Sequence, residues 1–315
     1  MPKSKEIFIG GQAIRAKTEF QVNLNIARLP SRTPIDIPIF VSSGKTTEPI
    51  LLLLAGLHGD EINGIEIVRR LLDQGLNKPL KGTTICIPVL NVYGFLNFSR
   101  VPDGKDVNRS FPGSAKGSLA SRVAYHLMHD IVSIIDCGID FHTGGASRNN
   151  IPQIRCHIED RKSRKLAEAF SPHFIINSNS IPKSLRHTAA QQKKPILIYE
   201  AGESLRLEEE AIKVGMRGAR RVMKHLGMIR SHHRPKKPTQ ILSKMKWVRA
   251  RNSGIFHSSI KNGVLVDKGQ VLGFITDPFG DFKTIIKSPS KAYTIALNHN
   301  PIVNQGDALV HLGLP

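Results

Sequence analysis

Cysteine is scarce in this sequence of 315 residues: Cys86, Cys137 and Cys156 are the whole complement, and no two of them form a C-x-x-C pair. That excludes a disulfide framework. Each lies in an apolar or strand-like stretch, which predicts buried free thiols in a reducing compartment. Acidic residues are few as well, 25 Asp+Glu against 45 Lys+Arg, for a formal net charge of +20. So basic a surface suggests anionic partners, whether nucleic acid, a membrane surface or acidic small molecules, without choosing among them. Long apolar runs are missing. The longest, Ile50 to Leu57, falls far short of the ~20 residues that cross a bilayer, and the N-terminal "MPKSKEIFIGGQAIRAK" has no secretory apolar region. The expectation is a cytoplasmic protein with no membrane partner. A hydrophobic content of 40% is enough for one large domain or two moderate ones.

What is present is an alternation. Residues 20–41 read as two strands around a Pro-containing turn. "PILLLLAGL", "TTICIPVLN", "DCGIDFHT" and "KKPILIYEAG" are strands with few polar residues. Between them, residues 61–73, 118–135 and about 207–226 carry helical spacing. Near-continuous apolar strands separated by helices predict an α/β fold, a mostly parallel mixed sheet covered by helices on both faces. "RSHHRPKKP", residues 230–238, reads as a linker. Beyond it, residues 239–315 hold short strands and Gly/Asp turns but no convincing helix. The expected organisation is a domain over 1–229 and a small all-β domain over 239–315.

The chemistry gathers at strand ends. His58 and Glu61 follow "LLLLAGL" at the carboxyl end of a buried strand, where ligands bind in doubly wound sheets. An imidazole and a carboxylate three residues apart near a helix start can reach one ion, and a His₂Glu set suits a hydrolytic Zn²⁺. Spacing alone is weak. With 13 His and 25 acidic residues in 315 positions, about one such pair arises by chance, and His157 with Asp160 is a decoy of the same spacing in a different setting. "DFHTGG" supplies a second histidine, His142, at the same sheet edge, with Asp140 two residues earlier to fix its tautomer. Glu200 ends the strand "ILIYEAG" and is the candidate base, with Glu203 as the alternative. His126, His129, His225, His232 and His233 read as surface histidines. The Gly-, Pro- and Asn-rich stretch 91–113 reads as a long functional loop presenting Arg100, Asn108 and Arg109.

"GLHGDEINGIE", "SRVPDGKDVNRSFPG", "DFHTGG" and "IYEAGE", in this order, resemble the succinylglutamate desuccinylase/aspartoacylase family of zinc hydrolases related to metallocarboxypeptidases. The resemblance covers roughly residues 45–205 by motif. It implies a zinc carboxypeptidase-like fold with one Zn²⁺ per chain held by His58, Glu61 and His142. Glu200 would activate water and Arg100 would hold the developing oxyanion. Asn108 and Arg109 would bind a substrate carboxylate, and Arg186 in "SLRHTAAQQ" resembles a further position near the substrate. The C-terminal module is similar to a biotinyl/lipoyl-like barrel-sandwich domain. It has "SPSKAY" in place of a Met-Lys-Met turn, so Lys291 is not read as a cofactor carrier.

The implied activity is zinc-dependent hydrolysis of the amide of an anionic N-acyl amino acid. Two alternatives remain open. One is a carboxypeptidase-like hydrolase of short or acidic peptides. The other is a nucleic-acid-binding protein using residues 230–252, which hold eight Lys/Arg, no acid and a single aromatic, Trp247. That reading is disfavoured, because a solvated linker followed by a strand with a charged outer face explains the same residues. The β module leaves a homo-oligomer open.

Overall fold

The structure is a computed structural model that describes residues 7–101, 103–230 and 238–314. A short hairpin, β1 (Ile7–Ile9) and β2 (Gln12–Ile14), precedes two long antiparallel strands, β3 (Glu19–Arg28) and β4 (Pro34–Ser43). The α/β part follows: β5 (Ile50–Ala55), α1 (Ile62–Asp73), β6 (Thr83–Ile87), α2 (Val92–Leu96), α3 (Leu119–His126), β7 (Cys137–Gly144), β8 (Arg148–Cys156), α4 (Arg161–Phe170), β9 (Phe174–Asn177), α5 (Leu185–Gln191), β10 (Ile196–Glu203) and α6 (Glu209–His225). The rest is strand: β11 (Gln240–Leu242), β12 (Lys244–Arg249), β13 (Gly254–Ser258), β14 (Leu265–Val266), β15 (Val271–Thr276), β16 (Lys283–Lys287), β17 (Ala292–Asn298), β18 (Ile302–Val303) and β19 (Ala308–Leu314).

The main sheet runs β12-β19-β17-β8-β10-β7-β5-β6-β4-β3. Its centre, β10, β7, β5 and β6, is parallel; its flanks are antiparallel. Burial explains the leucine run. Leu52 and Leu54 enter one core with α3 residues Val123 and Ala124, while Leu51 and Leu53 enter the opposite core with Ile67, Leu71 and Phe170 of α1 and α4. A strand covered on both faces has no solvent side, so its sequence shows no polar alternation. All three cysteines are free and buried, and burial pushes the Cys86 and Cys137 thiols up to about 12.

Three features depart from the sequence pattern. The amphipathic run 118–135 is not one α-helix: after α3 the chain loosens into a π-helical stretch, Leu127–Val132, in which Ser133 N–H donates to Met128 O at 3.2 Å. The loop 91–113 contains α2 and a 3₁₀ turn at Val107–Arg109. Strand β8 was not foreseen, and it extends the sheet: β17 pairs with β8 antiparallel, so C-terminal strands continue the catalytic sheet. A separate antiparallel sheet, β16-β15-β13-β18, completes the C-terminal part, around a core of its own that includes Phe256, Leu272, Ile275 and Val303. Of the 230–238 linker, residues 231–237 lie outside the described residues.

Helix α1 is set close to β7 by Gly64, where a Cβ would stand 2.4 Å from Phe141 O. This approach carries the start of α1 up to the strand that ends in His142. Gly64→Ala should therefore destabilise the fold by about 1–3 kcal/mol through overpacking and weaken metal retention in parallel. Thermal denaturation and metal content of the purified variant measure both.

Candidate active site

His58 lies just past the end of β5, Glu61 is the residue before α1, His142 is on β7 and Glu200 on β10. In the parallel register Ala55 faces Phe141, and His142 faces Glu200. Three neighbouring strands thus deliver these side chains to one sheet edge. Ligand atoms of His58, Glu61 and His142 lie within 4.8 Å of one another, and all three residues are buried.

Both rings turn Nδ1 towards Glu61, at 2.7 Å from Oε1 for His58 and 2.8 Å from Oε2 for His142. Their far nitrogens meet a second pair of carboxylates. His58 Nε2–H donates to Asp106 Oδ1 at 3.1 Å, and His142 Nε2–H donates to Asp140 Oδ2 at 2.7 Å. An imidazole whose Nε2 proton is held by a carboxylate presents Nδ1 as the lone-pair nitrogen, the tautomer a metal requires. Two imidazole nitrogens and one carboxylate, preassembled and dehydrated, fit Zn²⁺.

Electrostatics agree with that fit. Burial alone would push Glu61 up, but the charges of His58 and His142 hold it well below the carboxylate range. Burial alone would push both imidazoles down. Glu61 and Asp106 raise His58, and Asp140 with Glu61 raises His142 well above its ordinary value. Arg100 Nη1 donates to Glu61 Oε1 at 3.1 Å, while its Nε and Nη2 donate to Asp106 Oδ2.

Glu200 Oε2 accepts from Asn150 Nδ2 at 2.8 Å, and Arg155 Nε stands 3.9 Å from Oε1. The alternative, Glu203, is engaged elsewhere: its Oε2 accepts from His299 Nδ1 at 2.7 Å. His58, Glu61, Arg100, Asn108, Arg109, His142, Arg186 and Glu200 all line one cavity of about 430 Å³. Asn108 Oδ1 accepts from Leu185 N at 3.0 Å, and Arg109 donates to Asn108 O at 2.7 Å. Arg186 donates to Ser178 Oγ at 3.1 Å and Asn179 O at 2.7 Å.

The decoy stays apart. His157 pairs with exposed Glu159, and Asp160 caps α4 by accepting from Ser163 N. His126 and His129 both bond Asp130, and His225 ends α6; His232 and His233 lie outside the described residues. Trp247 is turned inward, stacked on His311 with ring centroids 4.1 Å apart, while Lys244 and Lys246 take the exposed positions of β12. The aromatic of the basic stretch is therefore a cavity wall rather than a free stacking surface.

Sequence reasoning missed Asp106, Asn150, Arg148 and Arg155. Asp106 carried one signal, its place between Arg100 and Asn108 in the functional loop. The other three sit on β8, whose pairing beside Glu200 no local pattern announces. Among the described residues, no helix is long and apolar enough to cross a membrane.

Because both imidazoles hold their protons above the usual histidine range, a metal ion must displace protons to bind. Binding should release protons, and affinity should rise as pH climbs through and above the ordinary histidine range. Titration calorimetry in buffers of different ionisation enthalpy measures the release directly.

Comparisons with known proteins agree with this geometry. A family model for the succinylglutamate desuccinylase/aspartoacylase catalytic domain matches residues 47–226, more than half of the chain. An N-alpha-acetyl-L-2,4-diaminobutyric acid deacetylase from Halomonas elongata is 27% identical over 242 residues, covering 73% of this chain and 71% of that protein. An aspartoacylase family protein from Mesorhizobium loti has the same fold, with TM-score 0.84, 21% identity and 99% of each chain covered. So does an ectoine utilization protein from Ruegeria pomeroyi in its product-bound structure, with TM-score 0.83, 21% identity and 95% of each chain covered. The chain belongs to the succinylglutamate desuccinylase/aspartoacylase family and is an amide-cleaving hydrolase, a deacylase, with that family's His-Glu-His metal site.

Proposed function

We propose that this deacylase is zinc-dependent and hydrolyses the amide of a small N-acyl amino acid. The observation that carries the reading is the convergence of His58, Glu61 and His142 within 4.8 Å in the same cavity as Glu200. The relative from Halomonas elongata, whose name states an N-acetyl amino acid substrate, supports the substrate class.

His58, Glu61 and His142 would hold the ion, with Asp106 and Asp140 keeping both imidazoles in the binding tautomer. When bound, Zn²⁺ supplies Lewis acidity, which acidifies water and polarises a carbonyl. Glu200 takes the proton of the attacking water and returns it to the departing amine nitrogen. Asn150 aims the Glu200 carboxylate. Arg100 lies at the rim of the metal site, where a guanidinium stabilises the oxyanion of the tetrahedral intermediate. Asn108, Arg109 and Arg186 bind the substrate carboxylate, Arg186 by a planar fork suited to it.

We further infer a division into a catalytic unit over 1–229 and a β module over 239–315, supported by the module's own core. Its strands β12 and β19 also extend the main sheet. The free buried thiols fit a reducing cytoplasm.

Glu200→Gln should keep its metal and lose most turnover; wild-type turnover in that variant sinks the assignment. Arg100→Gln should lower kcat by about 10²–10³. A panel of N-acyl amino acids run beside short acidic peptides separates deacylase from carboxypeptidase-like action.

A further inference from the structure

The candidate base stands where its strand loses regularity. The pairing of β10 shifts register after Glu200, on the β7 side and on the β8 side alike. Gly202, inside that irregular stretch, has φ +74°, and a Cβ there would stand 2.4 Å from Asn63 Nδ2 and 2.8 Å from Glu208 Oε1. A base in such a place needs holding from outside its own ladder, because a misplacement of ~1 Å can cost about 10²-fold in rate. Two side chains do so directly. Asn150 Nδ2 donates to Glu200 Oε2 at 2.8 Å, and Glu208 Oε1 accepts from Glu203 N at 2.8 Å.

Both of these lead back to one place. Asn149 and Asn150 are neighbours on β8, so their side chains leave opposite faces of the sheet. While Asn150 lines the cavity, Asn149 Nδ2 donates to the same Glu208 Oε1 at 2.8 Å. Glu208 N–H donates in turn to Asn63 Oδ1 of α1 at 2.8 Å. The far end of the relay lies in the β module. Asn262, between β13 and β14, donates from Nδ2 to Asn149 O at 2.7 Å and to Asn149 Oδ1 at 2.8 Å. A primary amide nitrogen has two protons, one for each acceptor. Its own Oδ1 is buried with no partner, so the donor is what this amide contributes.

Chemistry sets the direction of the relay. An ionised carboxylate only accepts, so Asn149 turns its NH₂ to Glu208 and its Oδ1 to Asn262, which must answer with NH₂. Bonds aligned head to tail polarise one another. The turn that carries Asn262 is itself fixed by Thr294 of β17, which is fully buried. Thr294 Oγ1 donates to Lys261 O at 2.8 Å and accepts from Val264 N at 3.1 Å, and Gly263 N donates to Thr294 O at 2.7 Å.

We infer that Asn262, a residue of the β module, is a positioning residue for the general base: through Asn149 and Asn150 it holds the end of β10 so that the Glu200 carboxylate meets the attacking water. The inference rests on the reading of Glu200 as the base and extends it to a residue 62 positions away in sequence, on the other side of the linker. The module is then part of the machinery that sets the rate, in addition to covering the sheet edge.

The test uses the metal-loaded, full-length enzyme and whichever amide of the panel above, N-acyl amino acid or short acidic peptide, wild type cleaves fastest. Asn262→Leu, close in size and unable to donate, should lower kcat by about 10–100-fold, with KM and metal content near wild type. Asn262→His, which keeps a ring N–H close to the lost donor, should recover part of kcat. In a Glu200→Gln background Asn262→Leu should lower kcat no further, because the residue through which it acts is already gone. Unchanged kcat in a folded Asn262→Leu overturns the relay. So does a rise in KM alone, or the same fold-loss repeated in Glu200→Gln. Wild-type turnover in Glu200→Gln overturns the base reading itself, whereas an inactive Glu200→Gln beside a fully active Asn262→Leu overturns only the relay. If Asn262→Leu does not fold, Asn262→Ser carries the same expectations; if Glu200→Gln is too slow to measure, the division between kcat and KM and the recovery in Asn262→His decide.

Discussion

The buried carboxylate of Glu61 is the constraint on which the rest of the site depends. An isolated carboxylate removed from water is very costly unless cations or donors surround it. Here His58 and His142 approach its two oxygens, Arg100 adds a third contact and Thr143 N–H donates at 3.1 Å. Each partner brings its own requirement. The two imidazoles need acceptors for their Nε2 protons, which Asp106 and Asp140 provide. Asp106 in turn binds Arg100 and accepts from Asn108 N at 2.7 Å, so the loop that carries Asn108 and Arg109 is organised from the metal site outward.

The sheet makes this convergence rigid. His58, His142 and Glu200 come from β5, β7 and β10, which are hydrogen-bonded neighbours. The spacing of His142 and Glu200 is thereby fixed by strand separation, while His58 is held by the short turn that follows β5. The apolar strands have few polar residues until their carboxyl ends, where the chain leaves the core and functional groups become affordable. Gly64 adds the close helix approach that brings α1 against β7.

The cavity is asymmetric. One side is built by the loop of Asn108 and Arg109 and by α5, the other by β8 and the C-terminal strands with Trp247. The pairing of β17 with β8 joins the two parts of the chain at the edge of the cavity. A β module attached this way shapes the reaction chamber as well as covering the sheet edge, which a free edge strand would need in any case.

Much of this was legible in the residues themselves. Period and apolarity identified β5, β7, β10, α1 and α6, because a strand buried on both faces and an amphipathic helix leave local signatures. His58, Glu61 and Asp140–His142 were legible because strand ends concentrate ligands and residues two apart on a strand share a face. What needed the tertiary structure is non-local. The partners of His58 and Glu200, Asp106 and Asn150, lie 48 and 50 residues away in sequence. The insertion of β8 beside β10 is decided by sheet pairing, and so are the placement of Arg148 and Arg155 and the inward turn of Trp247. Local periodicity records which face of an element is apolar; it carries no information on which distant strand that element will lie beside.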